Sequence, residues 1–216
     1  MKCTNIYFSR HGVRPQQTPA GFPLDSEPYT GPGYDAPLSP LGRQQAEALG
    51  ESQANASIDY IFCSPFRRTI ETVAPLARRL GLPIKLEWGL CEFLKAEWFE
   101  AFPLLPTPEE HYAQFSEIDL TYQSLVMPRY PEDDESLQDR ITETAMALTY
   151  NFGPSIFLMG HGASSLGIRR ILLGDDVPLI ADFCAVSQLS LKEGYWQSVL
   201  EGKSDHLKQC GIHVRA

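Results

Sequence analysis

Three apolar stretches of this sequence each run straight into an imidazole or a guanidinium. "IYFSRHGVRP" (residues 6–15) passes from strand material into Arg10, His11, Gly12 and Arg14. "IFCSPFRR" (61–68) ends in Arg67 and Arg68, and "SIFLMGHG" (155–162) ends in His161 between two glycines. A fourth stretch, "PIKLEWGLCEF" (83–93), runs out into the carboxylates Glu87 and Glu92. A strand that only exits to water can end in anything polar. Four strands ending in charged residue types capable of catalysis point to a sheet that brings those ends together.

The intervening sequence supplies the helices such a sheet needs. Strands are expected at 3–8, 58–64, 83–87 and 155–160. "SPLGRQQAEALG" opens with Ser39 as N-cap and Pro40 in the first turn. "PFRRTIETVAPLARRLG" runs from Pro65 to a terminal Gly81, with Pro75 inside it, and further helices are expected at 135–153 and 163–174. "CAVSQLSLKE" and "YWQSVLEG" alternate apolar and polar residues around Glu193 and Gly194, as a late strand pair does. Strands alternating with helices imply a three-layer α/β sandwich, a mostly parallel central sheet with helices on both faces. Ligands bind such sheets outside the carboxyl ends of the strands. Residues 1–216 are expected to form one domain, and residues 89–131, rich in aromatics and prolines and without a clean period, read as an insert.

The strand-end residues suit phosphoryl chemistry. A dianionic phosphoryl group needs cationic donors, and arginine's planar fork supplies two at once. Arg10, Arg14 and Arg68, or its neighbour Arg67, are the candidates. A histidine is a nucleophile when one ring nitrogen is unprotonated and the other is held by a hydrogen bond. His11 is the best placed, with Gly12 letting backbone approach and offering an amide to the ring or the phosphate. His161 is suited to stabilise redistributed charge on the phosphoryl oxygens. A carboxylic acid must protonate the leaving oxygen.

"RHG" after the first strand, "SPFRRTIET" after the second and "GHGASSL" after the fourth together resemble the histidine phosphatase superfamily, also called phosphoglycerate mutase-like. The resemblance covers about residues 6–174, and three motifs in order, each at a strand end, are far more specific than any one. It implies that His11 carries the phosphoryl group, with Arg10 its phosphate-binding neighbour. It implies that Arg68 is the arginine of S-P-x-x-R, and His161 the second pocket histidine. The R-H-G-x-R start, which includes Arg14, and "GLCEF" look most like a small intracellular branch of that family, where the acid falls at Glu92. Other relatives carry it in an L-x-E segment, which Glu87 fits, so geometry must decide between the two. R-H-G-x-R-x-P also opens the large histidine acid phosphatases, but there the second histidine precedes an aspartate, whereas Gly162 follows His161 here.

The resulting expectation is a phosphomonoester hydrolase working through phosphohistidine, without metal or other cofactor. Its alternatives are a mutase, or a catalytically weak interaction domain on the same fold. A mutase needs further cations for its substrate's carboxylate, and the insert offers only Lys95 and Arg129. His111, His206 and His213 show no metal-ligand spacing. The formal net charge of −9 argues against nucleic acid as partner, yet a local arginine cluster makes a positive pocket on an acidic protein. No run approaches the roughly 18 apolar residues of a membrane span, and the start of the chain leaves no room for a secretory segment. The protein is expected to be cytoplasmic, acting on a small phosphorylated substrate, with its oligomeric state open. Cys3, Cys63, Cys91, Cys184 and Cys210 contain no CxxC pair. They read as core residues, with Cys63 and Cys91 near enough to the motifs to be candidate reactive thiols. Trp88, Phe93, Trp98, Phe99 and Phe102 either roof the site or pack the insert. The run Glu132 to Glu135 reads as a solvated helix start with no function.

Overall fold

The structure, a computed structural model, describes residues 2–15, 31–174 and 181–209. Residues 16–30 of the expected N-terminal loop, and Cys210 and His213, lie outside them. Six strands form one sheet: β1 (Asn5–Arg10), β2 (Tyr60–Cys63), β3 (Ile84–Leu86), β4 (Ser155–Gly160), β5 (Val186–Lys192) and β6 (Tyr195–Lys203). Their order is β3-β2-β4-β1-β5-β6. β3, β2, β4 and β1 pair in parallel, and β5 lies antiparallel to both β1 and β6. The expected three-layer α/β sandwich with a mostly parallel sheet is therefore the fold.

Period-two alternation along each strand divides the apolar residues between two cores. Ile61, Cys63, Phe157 and Met159 face one way, against α1 (Pro40–Ser52), α2 (Arg67–Leu80) and α6 (Asp205–Gln209). Phe62, Ile156, Leu158, Ile6 and Phe8 face the other, against α4 (Asp134–Asn151) and α5 (Gly162–Leu173). β4 is buried along its whole length, which is why "SIFLMG" shows no alternation in sequence.

The helix boundaries follow local chemistry. Ser39 Oγ accepts the Gly42 amide at 3.1 Å and Pro40 opens α1. Gly81 and Gly174 end α2 and α5 with φ of 65° and 70°, the left-handed backbone that glycine adopts without strain. α2 runs through Pro75 without a break. β1 extends two residues past the expected strand, because Ser9 and Arg10 stay in register with Met159 and Gly160 of β4. The insert contains one short α-helix, α3 (Pro108–Tyr112), and meets the sheet where Ile118 bridges Ile84, Asp119 pairs with Lys85 and Tyr122 packs on Phe62.

The acidic run at 132–135 is not uniformly solvated. Asp133 caps α4 in a capping box with Ser136, as its position suggested, but Glu132 is buried and its carboxylate meets Arg140. The insert also begins flush on α4. A Cβ added at Gly89 would stand 2.1 Å from Thr144 Oγ1. Gly89→Ala is therefore expected to cost about 1–3 kcal/mol as overpacking, seen as a lower urea midpoint at unchanged slope. Adding Thr144→Ala should restore most of the loss. An unchanged midpoint for the single variant would refute the contact.

Candidate active site

The parallel register places the strand ends side by side. Arg10 is level with Gly160, and the His11 amide donates to the Gly160 carbonyl at 3.0 Å. The Ser64 amide donates to Met159 in the same way at 2.9 Å. His11, His161 and the start of α2 thus meet at one end of the sheet. The His11 and His161 rings lie edge to face with centroids 5.3 Å apart.

His11 is buried, and its Nδ1 sits 2.7 Å from the Gly12 carbonyl. A carbonyl can only accept, so Nδ1 carries the proton and Nε2 keeps its lone pair. Burial, Arg68 and His161 hold the ring well below the ordinary histidine pKa, so it is neutral at pH 7. Gly12 acts through its carbonyl here. Its amide, expected to face the ring or the phosphate, donates instead to Thr72 Oγ1 at 3.0 Å. Thr72 Oγ1 donates in turn to the Arg68 carbonyl at 2.6 Å.

Arg68 is the buried arginine of the pair. Its Nη1 donates to the Tyr34 carbonyl at 2.7 Å, and Nη2 reaches Glu92 Oε2 at 3.3 Å and His161 Nδ1 at 3.1 Å. Arg67 pairs with Glu71 one turn on, at 2.8 Å and half exposed. His161 Nδ1 stands between the Arg68 guanidinium and Glu92 Oε2, 3.2 Å away, and its Nε2 is 2.9 Å from Ser64 Oγ, a hydroxyl that can donate or accept. Burial pushes His161 down to about 4, against the pull of Glu92. Burial pushes Glu92 up, but His161 and Arg68 outweigh it and hold the carboxyl well below the usual range.

Arg10 donates from Nη1 to the Ala181 carbonyl at 3.1 Å and lies 4.0 Å over the Phe183 ring. The Nε atoms of Arg10 and Arg68 are buried with no hydrogen-bond partner among the described residues. Buried donors of this kind cost free energy until an acceptor arrives. Arg10, Arg14, Arg68 and Glu92 line a cleft of about 700 Å³. Its other walls are Tyr34, Trp98, Phe99, Gly162, Ala163 and Leu166, with Gly33 at the rim.

The two candidate acids have separate fates. Glu87 is fully buried and accepts five hydrogen bonds, from Gly89 N, Tyr122 Oη, Ser124 Oγ, Leu125 N and Val126 N. It anchors the insert and has no contact with the strand-end residues. Glu92 does, through Arg68 and His161. The aromatics divide as well: Trp98 and Phe99 line the cleft, whereas Trp88 and Phe102 stack on each other at 5.3 Å and pack the insert. Cys63 and Cys91 are buried and burial raises both thiols, Cys91 to about 12, so neither is a reactive thiolate. Ligand atoms of His11, Glu92 and His161 lie within 4.8 Å of one another, a spacing that a metal ion could bridge. Arg10, Arg14 and Arg68 already fill the same cleft with positive charge, which opposes a cation there.

Sequence reasoning missed Tyr34, Ser64, Thr72 and Phe183. Thr72 is four residues beyond Arg68, so helical spacing alone puts both on one face of α2. Ser64 is the first residue of the quoted S-P-x-x-R. Tyr34 lies in a three-residue 3-10 turn and Phe183 in a single-residue bridge to Arg10, both too short to carry a periodic signal.

Buried cationic forks around a neutral imidazole, at the carboxyl end of a parallel sheet, have the chemistry that suits a phosphoryl group. The comparisons agree with that class. The histidine phosphatase superfamily (branch 1) matches residues 6–203, and the chain belongs to this superfamily. Among curated proteins it is 29% identical over 202 residues to the transcription factor tau 55 kDa subunit of Saccharomyces cerevisiae, covering 82% of this chain and 43% of that one. It is 27% identical to human ubiquitin-associated and SH3 domain-containing protein B, covering 76% and 29%, and 26% identical to the ecdysteroid-phosphate phosphatase of Drosophila melanogaster, covering 76% and 24%. The chain thus spans less than half the length of these relatives. Among solved structures, the ecdysone phosphate phosphatase of Bombix mori in complex with tungstate superimposes with a TM-score of 0.73 at 24% identity, covering 93% of each chain. A phosphoserine phosphatase of Entamoeba histolytica in complex with 3-phosphoglyceric acid gives 0.64 at 19%, covering 94% and 99%.

The neutral buried histidines tie stability to pH. Unfolded, each regains a pKa near 6.5, so below that pH the unfolded chain binds protons the folded chain refuses. Stability therefore falls as pH drops from about 6.5 toward about 4, where His161 itself titrates. Asp35, pushed up to about 6 by burial, works in the opposite sense. Urea midpoints at pH 7 and pH 5 for the parent and for His161→Gln isolate the histidine part. The variant should show the shallower acid loss, and an equal loss in both would refute the assignment.

Proposed function

We propose that the chain is a phosphomonoester hydrolase working through a phosphohistidine on His11. The observation that carries this reading is the His11–Gly12 hydrogen bond, which supports a neutral ring with its lone pair on Nε2, near Arg10 and Arg68. In the first step Nε2 attacks phosphorus, the ester P–O bond breaks, and Glu92 gives its proton to the leaving oxygen. In the second step water attacks phosphorus, Glu92 takes the water's proton, the P–N bond breaks with its electron pair returning to His11 Nε2, and phosphate departs.

Glu92 is a carboxylate in the resting cleft, so it must gain a proton before the first step. The substrate supplies the means. A phosphate ester has its second pKa near 6 and enters partly as the monoanion. Its negative charge beside Glu92 raises the carboxyl pKa by the same Coulombic effect by which Arg68 lowers it. The three guanidiniums take the charge-neutralising role that Mg²⁺ fills in other phosphoryl-transfer sites, which supports turnover without metal. Activity that survives EDTA would agree, and loss on chelation restored by one divalent ion would count against it.

The leaving group is proposed to be bulky and apolar. Tyr34, Trp98, Phe99 and Leu166 form the cleft beyond the arginines, and Trp98 is 60% exposed at its rim. The names of the ecdysteroid-phosphate and ecdysone phosphate phosphatases point the same way. The mutase alternative is less well supported, since Lys95 lies over Phe93 at 4.5 Å and neither it nor Arg129 is among the cleft residues. An aryl or steroid phosphate should be turned over with higher kcat/KM than a sugar phosphate, and Trp98→Ala should narrow that gap.

His11→Ala is expected to remove turnover by several orders of magnitude while vanadate still binds the remaining arginines. Acid quench of the parent enzyme during turnover should show a phosphoryl adduct on His11 that is labile in acid and stable in base. Near-parent activity in His11→Ala, or an adduct mapped to Ser64, would overturn the mechanism. Anion binding without any turnover in the parent would favour the interaction-domain alternative.

A further inference from the structure

Glu92 differs from the other site residues in what holds it. His11, His161 and Arg68 stand at strand ends and a helix start, whereas Glu92 rides on an irregular segment, residues 89–94. An acid serves a leaving oxygen only from a fixed place, since a displacement of about 1 Å can cost about 10²-fold in rate. Something must fix that segment.

Arg140 of α4 does so with every donor it has. Its Nε donates to Glu132 Oε1 at 2.5 Å and its Nη2 to Glu132 Oε2 at 2.8 Å. Nη1 donates to the carbonyls of Gly89 at 2.8 Å and Cys91 at 3.2 Å, and Nη2 to that of Glu92 at 3.2 Å. A guanidinium has five N–H groups, and these are five bonds. Glu132 closes the loop: its Oε2 accepts the Leu94 amide at 2.9 Å, and its own amide donates to the Leu94 carbonyl at 2.9 Å. Upstream, Glu87 and its five donors pin the other end. The acid-bearing segment is thus held at 87, 89, 91, 92 and 94 and projects the Glu92 side chain from between two buried anchors.

Stability alone does not account for this arrangement. A buried ion pair is often no better than the apolar pair that would fill its volume. An apolar pair, however, cannot donate to three carbonyls. We propose that Arg140, oriented by Glu132, is a positioning residue that sets the place of Glu92 relative to Arg68 and His161. The inference rests on Glu92 being the acid of the proposed hydrolase.

The test uses the leaving group as a probe. A displaced acid slows esters whose oxygen needs a proton and spares 2,4-dinitrophenyl phosphate, whose leaving oxygen does not. The variants are Arg140→Met/Glu132→Leu, which leaves no buried charge behind, and Arg140→Lys, which keeps the charge pair with three donors in place of five. Each is compared with Glu92→Gln on phenyl and dinitrophenyl phosphates. Glu92→Gln should slow phenyl phosphate by about 10²-fold or more, and the clamp variants should show the same selective loss to a lesser degree. Vanadate inhibition should stay at the parent value, because the arginine cradle is untouched. Combined with Glu92→Gln, the clamp variants should add less than about threefold further loss, since residues acting through one group are not additive. Equal loss on both esters, or a loss that multiplies with Glu92→Gln, overturns the inference. Failure of both clamp variants to fold also overturns it, by making the clamp a support of the fold. Glu92→Gln without the selective loss sinks the acid assignment itself, whereas its presence without a clamp effect sinks only this inference.

Discussion

The pairing of β1 with β4 is the constraint on which the site depends. Six consecutive pairs run from Asn5 with Ser155 to Arg10 with Gly160. A slip of one residue would turn every side chain of β1 to the opposite face and exchange Ile6 and Phe8 with Tyr7 and Ser9. The register is fixed by burial on both faces of β4, not by anything at the site. The two histidines are therefore brought together by core packing some distance away, and their separation is as rigid as the sheet.

That rigidity matters because the electrostatics of the site are unfavourable on their own. Arg68 is buried, and desolvation pulls its pKa down to about 10. Arg10 and Arg14 add like charge beside it. Glu92 offsets part of this, and Asp35 adds a buried carboxylate that accepts the Arg67 amide at 2.8 Å. The imidazoles answer the remainder by staying neutral. One electrostatic condition thus sets both the charge state of the cradle and the nucleophilic form of His11.

Much of this was legible in the sequence because strand ends are local features. Apolar runs ending in "RHG", "CSPFRR" and "MGHG" imply both the sheet and the edge where Arg10, His11, Arg68 and His161 meet. Which of Arg67 and Arg68 turns inward did not follow from local chemistry, since a cation near a helix start is unfavourable at either position; the S-P-x-x-R resemblance pointed to Arg68. The choice between Glu87 and Glu92 was beyond local reading. Both follow apolar residues, both lie just past β3, and four of the five donors that absorb Glu87 come from residues 122–126, remote in sequence. Glu132 was concealed for a related reason: within a run of four carboxylates nothing local marks the one whose partner lies eight residues on, inside α4. Tyr34 and Phe183 reach the site from a 3-10 turn and a single-residue bridge, elements too short for a sequence pattern to mark.

The separate anchoring of Glu92 also divides the molecule into two parts that can vary independently. In the proposed hydrolase, residues on the sheet's end form the part that would handle the phosphoryl group, which is the same in every phosphomonoester. Residues 89–131 carry the proposed acid together with Trp98 and Phe99, the part that would meet whatever the phosphoryl group is attached to. Sequence drift in the insert can then alter substrate preference while leaving the cradle intact, provided the two ends of the acid's segment stay tied down. A lineage built on this plan can diversify its substrates by remodelling one excursion of the chain, with no need to rebuild the sheet.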